Sequence, residues 1–178
     1  IKEIHLVAIQ NEVKEFLILI EKGFSSSPLI TAVNLQESSN DVFTFDWNTE
    51  KSIRLQNFSP PKSYLYEPNA AIMKSGGFST LGNLFPVTKL HKNSHLFTSD
   101  ETIDFPGRSF KIIECMPYQK SSMREFLKNK KANISVRNFP EDVKTLKSKW
   151  KIADGGDHYL FFTTDVENNK IVLLCEKM

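Results

Sequence analysis

The sequence predicts an α/β protein in which a strand-helix-hairpin segment is followed by a small α/β sandwich with a mixed sheet. The first observation is a nearly continuous apolar run that ends at Ile9, which is typical of a strand covered on both faces and hence of a parallel sheet. The second is the pair Pro60-Pro61, which neither a helix nor a central strand accommodates. The third is a strand-helix-strand pattern from Ser109 to Phe139.

Residues 1 to 50 form the first predicted segment. Asn11 follows the strand Ile1 to Ile9 at the position of a helix N-cap. Apolar residues then recur with helical spacing up to Gly23, at Val13, Phe16, Leu17 and Ile20. Leu29 to Leu35 and Val42 to Asp46 are strand candidates, and the polar loop between them is too short for a parallel crossover. They should therefore be antiparallel neighbours.

The strand at residues 1–9 lacks a second neighbour in this prediction. A buried parallel strand needs pairing on both sides. We therefore expect residues 1–50 to be the end of a larger doubly wound domain, or to form a homo-oligomer through an exposed sheet edge near residues 1–9.

Residues 51–65 are predicted to be a linker, and residues 66–178 a second domain. Glu67-Pro68 marks the start of a helix, Gly76-Gly77 interrupts it, and a capping-box pair at Ser122 and Glu125 indicates another helix. Pro140-Glu-Asp142 opens the next helix. The domain ends in a hairpin of the strands Tyr159 to Thr164 and Ile171 to Cys175.

Composition limits the class of protein. The chain has 178 residues, 40% of them hydrophobic, so it can bury a core. No apolar run approaches the length of a membrane span, and no signal peptide is visible. Cys115 and Cys175 lie in separate apolar runs, which favours two reduced core thiols over a disulfide or a metal site. We therefore expect a cytoplasmic protein with no membrane partner.

Positive charge is concentrated in one segment. From Lys111 to Lys151 there are eleven Lys or Arg residues and four Asp or Glu residues, whereas the whole chain has a net charge of +2. A local basic face of this kind suggests a polyanionic partner. The candidate contact residues are Lys111, Arg124, Lys128, Lys130, Lys131, Arg137, Asn138 and Phe139.

Two interpretations of this segment remain open. Lysines at the end of a helix and on its exposed face are also explained by the helix dipole and by solvation. Arg137-Asn138-Phe139 combines a guanidinium, an amide and an aromatic ring at a strand-to-helix corner, which suits phosphate contact and base stacking. Helix capping by Asn138 and core packing of Phe139 explain two of these three residues without a nucleic acid.

The sequence contains no catalytic motif at a credible spacing. We find neither a glycine-rich phosphate loop, nor a zinc pattern, nor a nucleophile with its base. Asn11 and Glu12 follow the carboxyl end of a predicted parallel strand, where ligand crevices form, but a helix cap with a first-turn carboxylate explains them as well. We therefore predict no catalytic, cofactor-binding or metal-binding residue in this chain.

Several stretches resemble a known family. Lys2-Glu-Ile-His-Leu-Val-Ala-Ile9 with Asn11 to Leu17 is similar to the late strand and helix of bacterial class I S-adenosylmethionine-dependent methyltransferases, which have a Rossmann-like sheet. The second part of the chain resembles the THUMP-like domain at their carboxyl end, in stretches at Tyr66 to Ile72, His95 to Asp100, Phe105 to Arg108 and Arg137 to Pro140.

The resemblance implies the carboxyl-terminal part of an enzyme that methylates structured RNA, of the rRNA or tRNA class. The family's glycine-rich cofactor loop and its acidic-proline catalytic motif have no counterpart in this sequence. S-adenosylmethionine is thus expected in the parent protein and not on this fragment, which is predicted to be inactive alone. The alternative is a protein interaction or dimerisation module without nucleic-acid contact.

Overall fold

The computed structural model describes residues 1–37, 39–53, 57–127 and 131–178. They form two compact units that alternate along the chain. The first unit contains residues 1–56, 68–86 and 104–108, and the second contains residues 57–67, 87–103 and 109–178. The predicted assignment of residues 1–50, 51–65 and 66–178 to a catalytic remnant, a linker and a THUMP-like domain stays a prediction.

The first unit is built on a four-stranded mixed sheet. Its strands are β1 (Glu3–Ile9), β2 (Glu12–Leu19), β3 (Leu29–Leu35) and β4 (Asn40–Asp46), in the order β2-β1-β3-β4. β1 and β3 are parallel, whereas the other two pairs are antiparallel. The predicted antiparallel pairing of β3 with β4 is confirmed.

The helix predicted between Asn11 and Gly23 is wrong, because this stretch is strand β2. Gln10 and Asn11 adopt left-handed backbone conformations, with φ of 49° and 65°, and form the two-residue turn of a β1–β2 hairpin. Asn11 is therefore not a helix cap, and its side-chain oxygen accepts a hydrogen bond from Ala70 N at 2.7 Å. The strand-helix-hairpin order expected of a Rossmann-like remnant is replaced by a hairpin, a parallel strand and a further antiparallel strand.

The prediction of an exposed sheet edge near residues 1–9 is also wrong. β1 lies between β2 and β3, so both of its backbone edges are paired. The second neighbour that the sequence analysis could not find is the segment interpreted as a helix. The outer strand on that side of the sheet is β2.

Three short helices accompany this sheet: α1 (Trp47–Ser52), α2 (Ala70–Ser75) and α3 (Phe78–Leu84). α2 begins at Ala70 and not at Glu67-Pro68, which belong to a strand, because Asn69 caps the helix by accepting from Ile72 N at 3.0 Å. Gly76 ends α2 in a left-handed conformation, as the predicted interruption requires.

The second unit contains a seven-stranded mixed sheet. Its strands are β5 (Tyr64–Pro68), β6 (Thr88–Lys89), β7 (Phe97–Ser99), β8 (Gly107–Pro117), β9 (Asn133–Val136), β10 (His158–Thr164) and β11 (Lys170–Lys177). The order is β6-β7-β5-β8-β11-β10-β9, with β10 parallel to β9 and antiparallel to β11. The predicted mixed sheet and the terminal hairpin are confirmed.

Two helices, α4 (Lys120–Phe126) and α5 (Val143–Trp150), join this sheet. The capping box at Ser122 and Glu125 is wrong, because the N-cap of α4 is Gln119, three residues before Ser122. Asp142 caps α5 by accepting from Thr145 N at 2.7 Å. Met123 of α4 and Leu146 of α5 are completely buried in one hydrophobic cluster with residues from β8, β10 and β11. The two helices are thereby fixed against the sheet.

Both cysteines are free thiols. Cys175 is buried in the sheet, but Cys115 is exposed and is therefore not a core residue. None of the described helices combines the length and hydropathy that a membrane span requires.

Candidate nucleic-acid interface

A cleft of about 730 Å³ lies in the second unit, where α4 and α5 face each other. This size falls in the range of small-molecule and nucleotide sites. The cleft is lined by Tyr118, Lys120, Met123, Arg124, Leu127, Lys149, Trp150 and Lys151. Four of these eight residues carry a positive charge, and two of them are large aromatic residues.

The spacing of residues on α4 gives the cleft its apolar base and one basic wall. Met123 and Leu127 are four residues apart, so they lie on one side of the helix and are buried in the core. Lys120 and Arg124 have the same spacing on the neighbouring side, and Arg124 is exposed. A single helical turn therefore places two cations above an apolar surface.

The opposite wall comes from the end of α5. Lys149 and Trp150 form the last turn of this helix, where the helix dipole favours cations. Lys151 follows with a left-handed φ of 54°, which ends the helix and turns the chain. Both lysines and the indole consequently line the same cleft.

The hydroxyl group of Tyr118 connects the elements around the cleft. It donates a hydrogen bond to Glu141 Oε1 at 2.6 Å and accepts from Lys149 Nζ at 2.9 Å and Trp150 Nε1 at 3.1 Å. A phenol has one donor and two acceptor positions, so its capacity is used completely. The ring is packed edge-on against Trp150 at 79° and against Phe139 at 82°. The aromatic surface is therefore held in place before any ligand binds.

These contacts set the charges of the cleft at neutral pH. Burial, followed by the bond to Glu141, raises the pKa of Tyr118, so the phenol stays neutral. Burial opposes ionisation of Glu141, but the bonds from Tyr118 and Lys149 outweigh it and lower the pKa of the carboxyl group. The bonds to Tyr118 and Glu141 raise the pKa of Lys149. Lys149 and Glu141 are thus an ion pair, with Nζ 3.0 Å from the carboxylate.

The net charge around the cleft is positive. Lys120, Arg124, Lys149 and Lys151 supply four positive charges, and the Glu141 carboxylate beside Lys149 supplies one negative charge. Lys149 Nζ also lies 5.1 Å from the Tyr118 ring centre, within the range of a cation–π contact. Cations beside partly exposed aromatic rings are the combination that binds phosphates and stacks bases in single-stranded nucleic acids.

Of the predicted contact residues, the structure places Arg124 in this cleft. Lys128 and Lys130 lie outside the described residues. Lys111 is exposed on β8, and the residue directly across from it on β11 is Glu176. Because it lies seven residues before Tyr118 along an extended strand, it is about 20 Å away from the cleft. Lys131 begins the segment that leads into β9, beside the turn at Gly155.

Arg137 lies at the other end of β9, about 20 Å from Lys131 by strand length. Its Nη2 is 2.6 Å from Glu67 Oε1, and the Glu67 side chain is 3% exposed. Its Nη1 donates to the carbonyl of Val136 at 3.0 Å, and its buried Nε has no hydrogen-bond acceptor among the described residues. In this arrangement the guanidinium neutralises a buried carboxylate.

Asn138 and Phe139 are also engaged within the protein. Asn138 has a left-handed φ of 53°, and its Nδ2 donates to His91 Nδ1 at 2.8 Å. Its carbonyl accepts from the Thr164 hydroxyl. Phe139 packs edge-on against Tyr118 and Phe162, with ring centres at 4.9 and 5.6 Å. Phe139 therefore supports the aromatic wall of the cleft from behind.

Sequence reasoning missed the other cleft residues. The sequence leaves Lys149 and Lys151 open between a solvated helix face and phosphate contact, and it places Trp150 on the apolar stripe of the helix. One available signal was the four-residue spacing of Lys120 and Arg124 beside Tyr118. The described residues contain no group of three or more His, Cys, Asp or Glu side chains placed to hold a metal ion.

Comparison with known proteins yields two family models and one solved structure. Residues 64–106 match a ferredoxin-like domain, and residues 107–177 match a THUMP domain-like family. No curated protein matches the chain. The cleft between α4 and α5 lies entirely within the THUMP-like stretch.

The solved structure is that of a “putative methyltransferase from Porphyromonas gingivalis W83”. It shares 36% sequence identity with this chain and superposes with a TM-score of 0.91. The alignment covers 99% of this chain and 45% of that chain, so this chain spans less than half of its length. The chain thus contains a THUMP-like stretch and is similar to part of a protein described as a methyltransferase.

Proposed function

We propose that this chain is the carboxyl-terminal part of an S-adenosylmethionine-dependent RNA methyltransferase, and that the cleft between α4 and α5 binds the RNA substrate. The observation that carries the proposal is the placement of Lys120, Arg124, Lys149 and Lys151 around the Tyr118 and Trp150 rings. The THUMP-like match over the same residues and the similarity to the P. gingivalis protein support it.

The basic residues and the aromatic residues of the cleft would have different roles in binding. Lys120, Arg124 and Lys151 would contact phosphates, because each can place a cation at the rim without breaking a described ion pair. Lys149 is already bound to Glu141, and its role would be to hold the edge of the Trp150 and Tyr118 surface. An unpaired base of a structured rRNA or tRNA could stack there, whereas a continuous duplex would reach only the rim. A substrate of this class would agree with the cytoplasmic location expected from the sequence.

The methyl donor would be held by the part of the longer protein that this chain does not contain. In a class I methyltransferase the cofactor needs a glycine-rich turn between a strand and a helix. Here β1 is followed by the Gln10-Asn11 turn and a second strand, so these residues do not fit the cofactor. Residues 1–50 would then be the end of the catalytic sheet, and the chain alone would be inactive.

The proposal is tested by the salt dependence of binding to a folded tRNA-sized RNA. Each phosphate contact contributes about 0.7 to 0.9 to the slope of log affinity against log salt. Arg124→Gln should lower the slope by about one contact. Lys144→Gln removes an equal charge from an exposed position of α5 outside the cleft, and should leave the slope unchanged. Equal slopes for both variants would contradict the proposal.

A second candidate function is a protein interaction module. It is favoured by the first unit, in which Phe16 to Ile20 of the β2 segment are all between 46% and 74% exposed. Five consecutive exposed apolar residues are unusual on a strand that faces only water. An interaction module without RNA binding would show no steep salt dependence in the same titration.

A further inference from the structure

One face of the four-stranded sheet in the first unit is covered over β1, β3 and β4, although Phe16 and Ile18 of β2 stay exposed on it, and the other face is open. The covered face carries Leu6, Ala8, Ile30, Ala32, Phe43 and Phe45, each at most 5% exposed. α2 packs against this sheet, and Gly77, between α2 and α3, lies directly against the Phe43 and Phe45 rings.

The strand register identifies the side chains of the opposite face. Residues paired directly across neighbouring strands point to the same side of a sheet. Val7 is paired with Val33, and Val33 with Val42, so these three valines form one row across the sheet. His5 is paired with Leu17 and Thr31 and forms the next row on this face.

The open face is largely apolar. It carries large hydrophobic side chains that are between 36% and 63% exposed, namely Ile9, Leu17, Leu19, Leu29, Leu35 and Val42. A sheet that contains a parallel strand pair is usually covered on both faces, most often by helices. The pattern is therefore that of a surface which is buried in a larger assembly.

The charges on this face select the kind of partner. The open face also carries the carboxylates of Glu3, Glu12, Glu15 and Asp46. Glu12 is neutralised by Lys14 at 2.8 Å, Glu3 is bonded to His5 and Asp46 caps α1, so the remaining charge of the face is negative. A second copy of the chain would bring apolar residues together but would also place carboxylates opposite carboxylates. An amphipathic helix with basic residues beside its apolar stripe satisfies both the apolar centre and the acidic margin.

We propose that the open face binds a basic amphipathic helix from the part of the longer protein that corresponds to the other 55% of the P. gingivalis chain. This inference rests on the proposed function, because that function assigns the missing part to the catalytic domain. The helix would complete the second layer of the sheet and fix the catalytic part to this chain.

The test uses peptides of about 20 residues that tile the uncovered part of the P. gingivalis protein, each labelled and titrated with this chain. A peptide with an apolar stripe flanked by Lys or Arg should bind, and its scrambled form should not. Val42→Gln removes an exposed apolar contact at constant charge and should weaken binding at least tenfold. Glu15→Gln should weaken it by severalfold.

Lys74→Gln, at an exposed position of α2 on the covered side, is the matched control and should leave peptide binding unchanged. The proposal is overturned if no peptide binds better than its scrambled form, or if Val42→Gln binds as well as the native chain. It is also overturned if the chain alone forms a dimer that Val42→Gln disperses, since the occupant would then be a second copy. RNA titration of the same variants separates these outcomes from failure of the proposed function, because the cleft lies in the second unit.

Discussion

The role of Arg137 distinguishes the structural account from the interpretation of the sequence alone. The sequence suggests a phosphate contact, whereas the structure pairs the guanidinium with the buried carboxylate of Glu67 at 2.6 Å. Substitution of Arg137 by Gln removes the cation and leaves Glu67 in its buried site. The structural account therefore predicts a loss of stability without a specific loss of RNA binding.

The expected loss of stability follows from how deeply Arg137 and Glu67 are buried. Breaking a fully buried ion pair by removing one partner costs about 3 to 5 kcal/mol. The Arg137 side chain is 35% exposed, so solvent screens part of this interaction. We expect Arg137→Gln to lower the free energy of unfolding by about 2 kcal/mol. For a chain of this size that corresponds to a decrease in Tm of about 4 to 8 °C.

Thermal unfolding followed by circular dichroism measures this decrease. The double variant Glu67→Gln/Arg137→Gln should recover most of the lost stability, because it removes the buried charge together with its partner. RNA binding of Arg137→Gln, measured well below its Tm, should keep the salt slope of the native chain. If Arg137→Gln keeps the native Tm within about 1 °C and lowers the salt slope by about one contact, the structural account of this residue is refuted.

Three further predictions concern the cleft and the core. Trp150→Leu should weaken RNA binding by about 1 to 3 kcal/mol without changing the salt slope, because it removes stacking but no charge; fluorescence anisotropy at two salt concentrations measures both quantities, and a changed slope would argue against stacking. Burial, followed by the nearby cations Lys89 and Arg137, lowers the pKa of His95 to about 4, so the folded state resists protonation and stability should fall as the pH drops from 6.5 to 4. The His95 imidazole signals should show a titration midpoint near pH 4 by NMR, and a midpoint near 6.5 would contradict this. Gly77→Ala should lower stability by about 1 to 3 kcal/mol in chemical denaturation, because the new Cβ would lie 2.5 Å from a Phe45 ring carbon; a neutral effect would show that the rings move aside freely.

Part of the sheet of the second unit could be predicted from the sequence, whereas β5 falls in the predicted linker and helix start and β6 is not predicted. Strand patterns with clear turn residues identify β8, β10 and β11, and Asn168-Asn169 falls in the turn between β10 and β11. These signals depend only on neighbouring residues, so they can be recognised without knowledge of the tertiary structure.

Strand β2 could not be predicted in the same way. Val13, Phe16, Leu17 and Ile20 fit a helical stripe, but the run from Phe16 to Ile20 is equally compatible with a strand that is apolar on both faces. The turn before it, Gln10-Asn11, lacks the glycine that usually marks a two-residue hairpin. The segment forms a strand because it pairs with β1, and this pairing depends on the tertiary structure.

The candidate site was predicted only in part for a related reason. Arg124 was identified from local charge, but its convergence with Lys149 and Trp150 depends on how α4 and α5 pack on the sheet. Likewise, Arg137 and Glu67 are 70 positions apart, and nothing in either local pattern shows that they form an ion pair. Charge counting therefore identified the segment that contains the cleft, but it could not show which residues of that segment line the cleft.

The central claim is that the cleft between α4 and α5 binds RNA, and the two tryptophans of the chain allow a direct measurement. Trp150 lines the cleft, whereas Trp47 begins α1 in the first unit. Two-dimensional ¹H–¹⁵N NMR resolves their indole N–H signals during titration with a folded tRNA-sized RNA at near-physiological salt. The account predicts that the Trp150 signal shifts or broadens while the Trp47 signal stays in place. A response at Trp47 alone, or at neither residue under saturating RNA, would contradict it.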